Sequence, residues 1–584
     1  MKTASTRFFN ITELLIEVAS FLDRRGICRL LQTCHQAHIV LAPILFQTLD
    51  FLPTTPSYSS SRRLLTTATQ LNALKRNIHH ATKNLDPKDQ PSKRIFFSTI
   101  PSVKDSRARL QQLCWIITQC PLLSSLELTL ELRTKDDLQC FVGALAGIGV
   151  LQTLRLVIMD DATTWPTLFS TVVLHCPPTI EELCVLFEKP TTTTGATVAP
   201  LTISGIIPRA TPQSLTRGQD PPPLLIRLRR IILHSAGHIT LTEASNVFSR
   251  CLGLVELNLF DTPGQPGDAT SIATILSKRC PNFRRLRSLR ISYDEDQQLA
   301  LAIMDNSAPQ TFEAIELSNL DASSTKSLQT FIRRHSMTLR EIRIQDCRIP
   351  DSATIQCILC NCAQLEVLCL VSRDTFQIEV ILADAVAYKW ASRKMKRLEL
   401  SVAFNDLAET TIVDTYDNIS YSSYNDDAIA PFYQKQGPVI LTDAERALFK
   451  MLEQFYQRLG ELTELEYLDL RAVPSASTHA SFRKNQQAFP GMLFLGNGSL
   501  GRPGYLRLLE GWKKLKYLKG SVQIFTSETM VTVGQAEFAW MVDHWPSLRQ
   551  AAFLPPSSGY WNRGKERSPE IRWLRAWKPT LILQ

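Results

Sequence analysis

The sequence predicts an α/β solenoid, a curved parallel sheet on the inner wall and helices on the outer. Two observations predict it. One short apolar spacing recurs along most of the chain, and a stretch of helical period precedes each copy. The clearest copy is Leu339–Cys347, LREIRIQDC, whose apolar anchors are Leu339, Ile342 and Ile344. Arg343 separates the last two, which is the two-residue period of a strand with one buried face. The spacing returns at Leu123/Leu126/Leu128, Leu151/Leu154/Leu156, Ile180/Leu183/Val185, Leu228/Ile231/Leu233 and Leu254/Leu257/Leu259. It continues at Leu286/Leu289/Ile291, Phe312/Ile315/Leu317, Leu365/Leu368/Leu370, Met395/Leu398/Leu400 and Leu465/Leu468/Leu470. Leu515/Leu518 opens another copy that Gly520 breaks.

The helical stretches include ATSIATILSKRC before Pro281 and TIQCILCNCAQ before Leu365. Anchors at 254, 286, 312, 339, 365 and 395 give steps of 32, 26, 27, 26 and 30. One strand and one helix in such a step cannot bury their own apolar faces, so copies must stack into one continuous core. The pattern resembles leucine-rich repeats, especially the cysteine-containing kind. Cys347 stands where that family places Asn or Cys, and Cys120, Cys251 and Cys362 each lie three residues before an anchor.

Composition agrees with a folded chain. Of 584 residues 44% are hydrophobic and 20% charged, too long for one ordinary core but not for a fold that grows in one dimension. A net charge of +9, from 64 basic and 55 acidic residues, is a mild bias rather than a nucleic-acid footprint. The start, MKTASTRFFN, lacks the apolar core of a signal peptide, and no run of eighteen apolar residues would span a membrane. The 14 cysteines are therefore expected to be reduced, buried and intracellular. The Asn-x-Ser/Thr triplets at Asn10, Asn418 and Asn497 are expected to carry no glycan.

Residues 8–51 are organised differently. Leu14, Leu15, Val18, Phe21 and Leu22 recur at helical spacing after Thr12, which sits in the N-cap region. Ile27, Leu30, Leu31 and Cys34 form a second amphipathic run, and Pro43 opens a third short segment. Three short helices in about 40 residues hold too little core to stand alone and call for a covering surface. The stretch resembles an F-box, carried by Glu13-Leu14-Leu15, Val18, Ser20-Phe21-Leu22, Leu30, Cys34 and Pro43-Ile44-Leu45-Phe46. It departs from that family at Asn10-Ile11, where Leu-Pro is usual, and at Ala37, where an aromatic is usual. The alternative is the polar-sided cap that a solenoid end requires.

Residues 53–64 read as a Pro/Ser/Thr-rich linker and 66–118 as largely helical, with a loop at 86–93. Three insertions interrupt the repeats, at 189–223, 404–440 and 474–505. The second belongs to a tract, 398–434, with seven acids, no Lys or Arg, and Tyr416, Tyr421, Tyr424 and Tyr433. It reads as a solvated loop or an acidic docking tail. The Trp-rich end, Trp540 to Trp577, has lost the repeat spacing and is expected to cap the solenoid.

Little points to chemistry. Gly496–Gly501 matches G-x-G-x-x-G, but no acid stands about 20 residues on, as a dinucleotide site needs. Cys357, Cys360 and Cys362 lack a fourth ligand and read as repeat-core cysteines rather than a zinc site. The basic run Arg393–Arg397 reads as a solvated edge rather than a targeting signal. No Ser/His/Asp, Cys/His or paired-carboxylate grouping can be assembled, so no enzyme activity and no cofactor are expected.

The expected organisation is a module at 1–52, a linker and helical connection at 53–118, and repeats at 119–584. The resemblances imply a substrate receptor of a cullin–RING (SCF-type) ubiquitin ligase, cytoplasmic and/or nuclear. The F-box-like residues Leu14, Leu15, Val18, Phe21, Leu30, Leu31, Pro43 and Phe46 would hold a Skp-type adaptor, and through it a cullin. The repeats would hold a protein substrate. Residues alternating with the anchors face away from the core, which nominates Glu256, Asn258, Arg290, Glu316, Glu341 and Arg343, with Cys369 in the same series. Their charges either read a partner or pair across strands to keep the face soluble. A protein-interaction scaffold without a ligase role is the other reading; nucleic acid and membrane are not expected partners.

Overall fold

The computed structural model describes residues 12–22, 48–50, 94–98, 106–118, 123–130, 134–158, 168–187, 224–234, 241–260, 269–289, 298–318, 324–345, 351–370, 378–404, 443–474, 491–496, 503–520, 535–551 and 578–583, with isolated positions between them. The chain divides into two units, Met1–Phe283 and Arg284–Gln584. Both are built as a leucine-rich-repeat solenoid.

In the first unit, seven described strands pair in chain order and all in parallel: β1 Thr48–Asp50, β2 Arg94–Ser98, β3 Ser125–Leu130, β4 Thr153–Ile158, β5 Glu182–Phe187, β6 Arg230–His234 and β7 Glu256–Phe260. The apolar spacing dictates this. Leu126 lies opposite Leu154, Leu154 opposite Leu183, and Leu183 opposite Ile231, all at 0% exposure. Helices between the strands, among them Lys135–Ala146, cover that face. This helix begins with a reciprocal cap: Asp137 N–H donates to Thr134 Oγ1 (3.2 Å) and Thr134 N–H donates to Asp137 Oδ2 (3.0 Å).

The second unit continues the pattern with β8 Arg285–Leu289, β9 Ala314–Ser318, β10 Glu341–Gln345, β11 Val367–Cys369, β12 Glu379–Ile381, β13 Arg397–Phe404, β14 Tyr467–Pro474, β15 Tyr517–Gly520, β16 Gln550–Ala551 and β17 Ile582–Leu583. The long strand β13 takes β11 along its first half and β12 along its second. A backbone ladder joins successive turns. The carbonyl of the residue after each first anchor accepts two N–H groups from the next turn, as Arg340 O does from Glu366 N (2.7 Å) and Val367 N (2.9 Å). The same bond pair recurs on the carbonyls of Arg284, Glu313, Glu366, Lys396, Glu466 and Lys516, so the two N–H groups entering each of these strands find an acceptor on the turn before.

Several expectations are corrected. The sheet does not begin at Leu123: β1 and β2 precede it, and β2 lies inside the stretch read as linker and helix. The Trp-rich tail, placed at the capping end of the solenoid, carries β16 and β17, which extend the ladder although the repeat spacing is lost. There the spacing was disguised: Leu548 and Ala551 fill two anchor slots, and Trp545 occupies the core position three residues earlier. That column has a role. Ser392 Oγ, Trp512 Nε1 and Trp545 Nε1 each donate to a carbonyl of the preceding turn, Leu365 O (2.6 Å), Leu459 O (2.9 Å) and Leu509 O (3.0 Å). Cys280 Sγ does the same more weakly to Phe248 O (3.6 Å).

The anchors of β8 are also shifted. Leu286 pairs with Ile315 and Ser288 with Leu317, so Phe283 and not Leu286 is the first anchor. Starts at 254, 283, 312, 339 and 365 then give steps of 29, 29, 27 and 26, more even than steps that run through Leu286. Gly520 does not break its strand: it ends β15 opposite Leu470. The insertion at 474–505 is partly core, with Phe489, Met492, Leu493 and Tyr505 buried and the Tyr505 hydroxyl donating to Phe449 O (2.9 Å). Gly496 of the glycine motif lies where a Cβ on Gly504 would meet its nitrogen at 2.0 Å, so Gly504 serves a backbone crossing. The insertion at 189–223, nearly all of 404–440, and Cys347 fall outside the described residues.

Candidate protein-interaction surface

The open sheet face of each unit carries the residues that alternate with the anchors. In the first unit Arg230 bridges two neighbouring strands, donating from Nη1 to Glu182 (3.3 Å) and from Nη2 to Glu256 (3.2 Å). Asn258 Nδ2 donates to the other Glu256 oxygen (3.0 Å), and Asn258 itself is only 3% exposed. Glu256 is therefore occupied by Arg230 and Asn258, and Asn258 shares the face of Glu256, as alternation predicts, but is covered there rather than exposed.

In the second unit the shift at β8 removes Arg290 from its expected slot; Arg290 itself lies outside the described residues. Arg287 stands opposite Glu316 instead, and the two pair across strands at 2.9 Å. Arg343 pairs with Glu341 two residues back on its own strand and donates to Cys369 Sγ at 3.7 Å. Cys369 is 4% exposed, and burial followed by the Glu399 carboxylate pushes its thiol up to about 12, so it is inert at neutral pH. Glu316, Glu341 and Arg343 thus neutralise one another or their neighbours. The cross-strand Arg287–Glu316 pair is worth about 0.2–1 kcal/mol.

A second row was not anticipated. The residues just after the first anchors run Arg284, Glu313, Arg340, Glu366, Lys396, Glu466 and Lys516, alternating in sign over seven consecutive turns. Arg284 meets Glu313 at 2.8 Å, Lys396 meets Glu366 at 2.5 Å and Lys516 meets Glu466 at 2.6 Å, with Arg340 and Glu366 4.0 Å apart. The alternation was legible in the sequence at one position past each first anchor. It also accounts for the basic run: Lys396 belongs to this row, Arg393 meets Glu461 (3.4 Å), and Lys394 donates to Gln364 (2.6 Å).

The aromatic part of the face was missed outright. Tyr467 on β14 lies opposite Tyr517 on β15 and Arg397 on β13. The two rings are 5.8 Å apart, the Arg397 guanidinium sits 4.3 Å from the Tyr467 centroid, and Lys519 Nζ is 5.8 Å from it. Both tyrosines are half-buried. Burial, then the Glu399 and Asp469 carboxylates, push the Tyr467 phenol up to about 12. Arg397 bonds Glu399 (2.5 Å) and Arg471 bonds Asp469 (3.1 Å), which fixes both guanidinium groups in place. Half-exposed Tyr and Arg on a rigid sheet are the side chains that dominate protein-interface energetics.

At the other end of the chain, helix Thr12–Ser20 buries Leu15 (0% exposed) and Ala19 (3%) and leaves Leu14 and Val18 half-buried. Phe21, just past its end, is 84% exposed, and Leu22 is 37% exposed. Leu15 thus supports the helix while Phe21 faces solvent. Leu30 is half-buried; Leu31, Pro43 and Phe46 lie outside the described residues.

Ser307 and His335 form a hydroxyl–imidazole pair. Thr311 and Phe312 N–H donate to His335 Nδ1 (3.2 and 3.4 Å), so Nε2 carries the proton and donates to Ser307 Oγ (2.9 Å). Ser307 Oγ in turn donates to Met304 O (2.9 Å). The proton runs from imidazole to hydroxyl, opposite to what a general base needs, so the pair is structural. Cys357 and Cys362 are buried and Cys360 is half-buried, and among the described residues no three His, Cys, Asp or Glu converge on a metal position. Nor is any described helix long and apolar enough to cross a membrane.

No family model matches the chain, and no curated protein matches it. Among solved structures it is similar to a chain of the crystal structure of the Rad7 and Elc1 complex in yeast, at 12% identity and a TM-score of 0.30, covering 90% of this chain and 98% of that one. It is also similar to a chain of the TLR13–ssRNA13 complex, at 11% identity and a TM-score of 0.31 over 81% of this chain. The match spans 56% of that second chain.

Proposed function

We propose that this protein is the substrate-recognition subunit of an SCF-type ubiquitin ligase. Its N-terminal module holds a Skp-type adaptor and through it a cullin, and its open sheet face holds a protein substrate. The chain performs no chemistry itself; ubiquitin transfer belongs to its partners, and it works in the cytoplasm and/or nucleus.

The observation that carries the reading is Phe21, 84% exposed at the end of a helix whose sequence resembles an F-box. An aromatic side chain left in water forgoes about 1.5–3 kcal/mol that a covering surface would return. The test is co-expression of the full chain with a Skp-type adaptor, as wild type, as Phe21→Glu and with residues 1–50 deleted. Adaptor should co-purify with wild type only, and recovery at full yield from the deletion would refute the reading. The Tyr467–Tyr517–Arg397 face equally supports an interaction scaffold without a ligase role, which the same co-purification separates.

A further inference from the structure

The open face at the C-terminal end of the second unit has an unbalanced set of charges. Across β13 to β16 and the residues leading into them, six cations stand together: Lys396, Arg397, Arg471, Lys516, Lys519 and Arg549. The first four are each taken by a carboxylate, Glu366, Glu399, Asp469 and Glu466 respectively. Among the described residues no carboxylate pairs with Lys519 or Arg549. Lys519 is half-exposed beside the Tyr467 ring, and Arg549 is exposed.

We infer that this face binds an extended acidic segment of a protein, with carboxylates on Lys519 and Arg549 and an apolar or aromatic side chain on the Tyr467–Tyr517 pair. The inference rests on the open face being the substrate site, and it names the chemistry of that substrate. Register sets the length of the segment. Tyr517 pairs with Gln550, so Arg549 lies opposite Lys516, and Lys519 stands three residues further along. At about 3.3 Å per residue the two cations are on the order of 10 Å apart, too far for one carboxylate and suited to two acids about three residues apart. Charge-assisted bonds then orient the segment, while the tyrosines supply rigid apolar area at small entropic cost.

A single-stranded nucleic acid also combines charge with stacking, but it carries one negative charge every ~3.4 Å. Glu399, Glu466 and Asp469 share this face and would repel such a chain, whereas a peptide places its acids only where cations wait.

The experiment measures fluorescence anisotropy of the full chain with three labelled probes. These are a twelve-residue Gly/Ser peptide with a central Phe and two acids about three residues apart, the same peptide with Lys for each acid, and a twelve-nucleotide oligouridylate. Wild type should bind the acidic peptide and not the lysine peptide. Lys519→Glu with Arg549→Glu should weaken acidic-peptide binding at least tenfold. Tyr467→Ala should weaken it without reversing the charge preference; Lys519→Glu alone touches only a half-exposed residue and covers the case where the Tyr variant misfolds. No binding by wild type, equal binding of both peptides, unchanged binding by the double charge variant, or binding of oligouridylate alone would each overturn the inference. Phe21→Glu should leave peptide binding unchanged and adaptor recovery should survive Lys519→Glu, so failure here is distinct from failure of the ligase reading.

Discussion

Gly520 stands directly opposite Leu470 in the β14–β15 ladder, in the slot that every earlier turn of the second unit from β9 onward gives to a large apolar anchor. Its φ is +94°, and a Cβ there would lie 2.1 Å from Leu470 O and 2.8 Å from Asp469 Oδ1. Both facts demand glycine: the left-handed backbone is costly for other residues, and the neighbouring strand leaves no room. Gly520→Ala should therefore destabilise the second unit by more than about 1 kcal/mol, read as a lower urea midpoint with an unchanged slope. A midpoint equal to wild type would mean the strand end is free to shift.

The alternating row makes a salt-dependent prediction. Glu366→Lys places three cations in succession, Arg340, Lys396 and the new one between them. The melting midpoint should fall at 0.1 M salt, and the gap to wild type should narrow at 1 M as the Debye length drops from about 10 to about 3 Å. Adding Lys396→Glu restores one attractive pair between those two positions but leaves like charges on either side, against Arg340 and against Glu466, and so should recover only part of the loss. A gap insensitive to salt would assign the effect to packing instead.

Ile342 and Ile344 are 0% exposed in the middle of β10. Truncating Ile342 to Ala should cost about 2–5 kcal/mol. In a one-dimensional stack the loss should fall on the neighbouring turns, seen as faster amide exchange in β9 and β11 before β14. Exchange rising evenly across the unit would argue for one cooperative block.

His335 predicts a pH dependence. Burial, followed by the charge of Arg334, lowers its imidazole from 6.5 to about 4. Between those values the unfolded chain binds the proton and the folded one does not. Stability is therefore full above about pH 6.5 and falls as pH drops toward 4, by about 3 kcal/mol in all. His335→Gln should flatten this part of the profile in urea denaturation at pH 7 and pH 5. An equal loss in variant and wild type would place the titrating group elsewhere.

Period and face were legible in the sequence alone. An apolar anchor at every third and second step admits few structures besides a stacked strand, because side-chain direction alternates along it, and the anchors of β3 to β6 and of β9 to β11 are buried as that rule requires. Where the anchors were disguised, at β8 by a run of Leu and Arg, at β16 by Ala551, and at β1 and β2 by the absence of recurring leucines, spacing could not find the strands. Only hydrogen-bond register between turns locates them. The interaction surface was less legible still. Arg397, Tyr467 and Tyr517 are separated by 70 and 50 residues in sequence and meet only because parallel stacking sets each strand about 4.8 Å from the last. What a solenoid buries is written locally, in the period of each turn. What it displays is decided by which turns become neighbours, and insertions between β13 and β14 or β14 and β15 change the sequence distance without changing the spatial one.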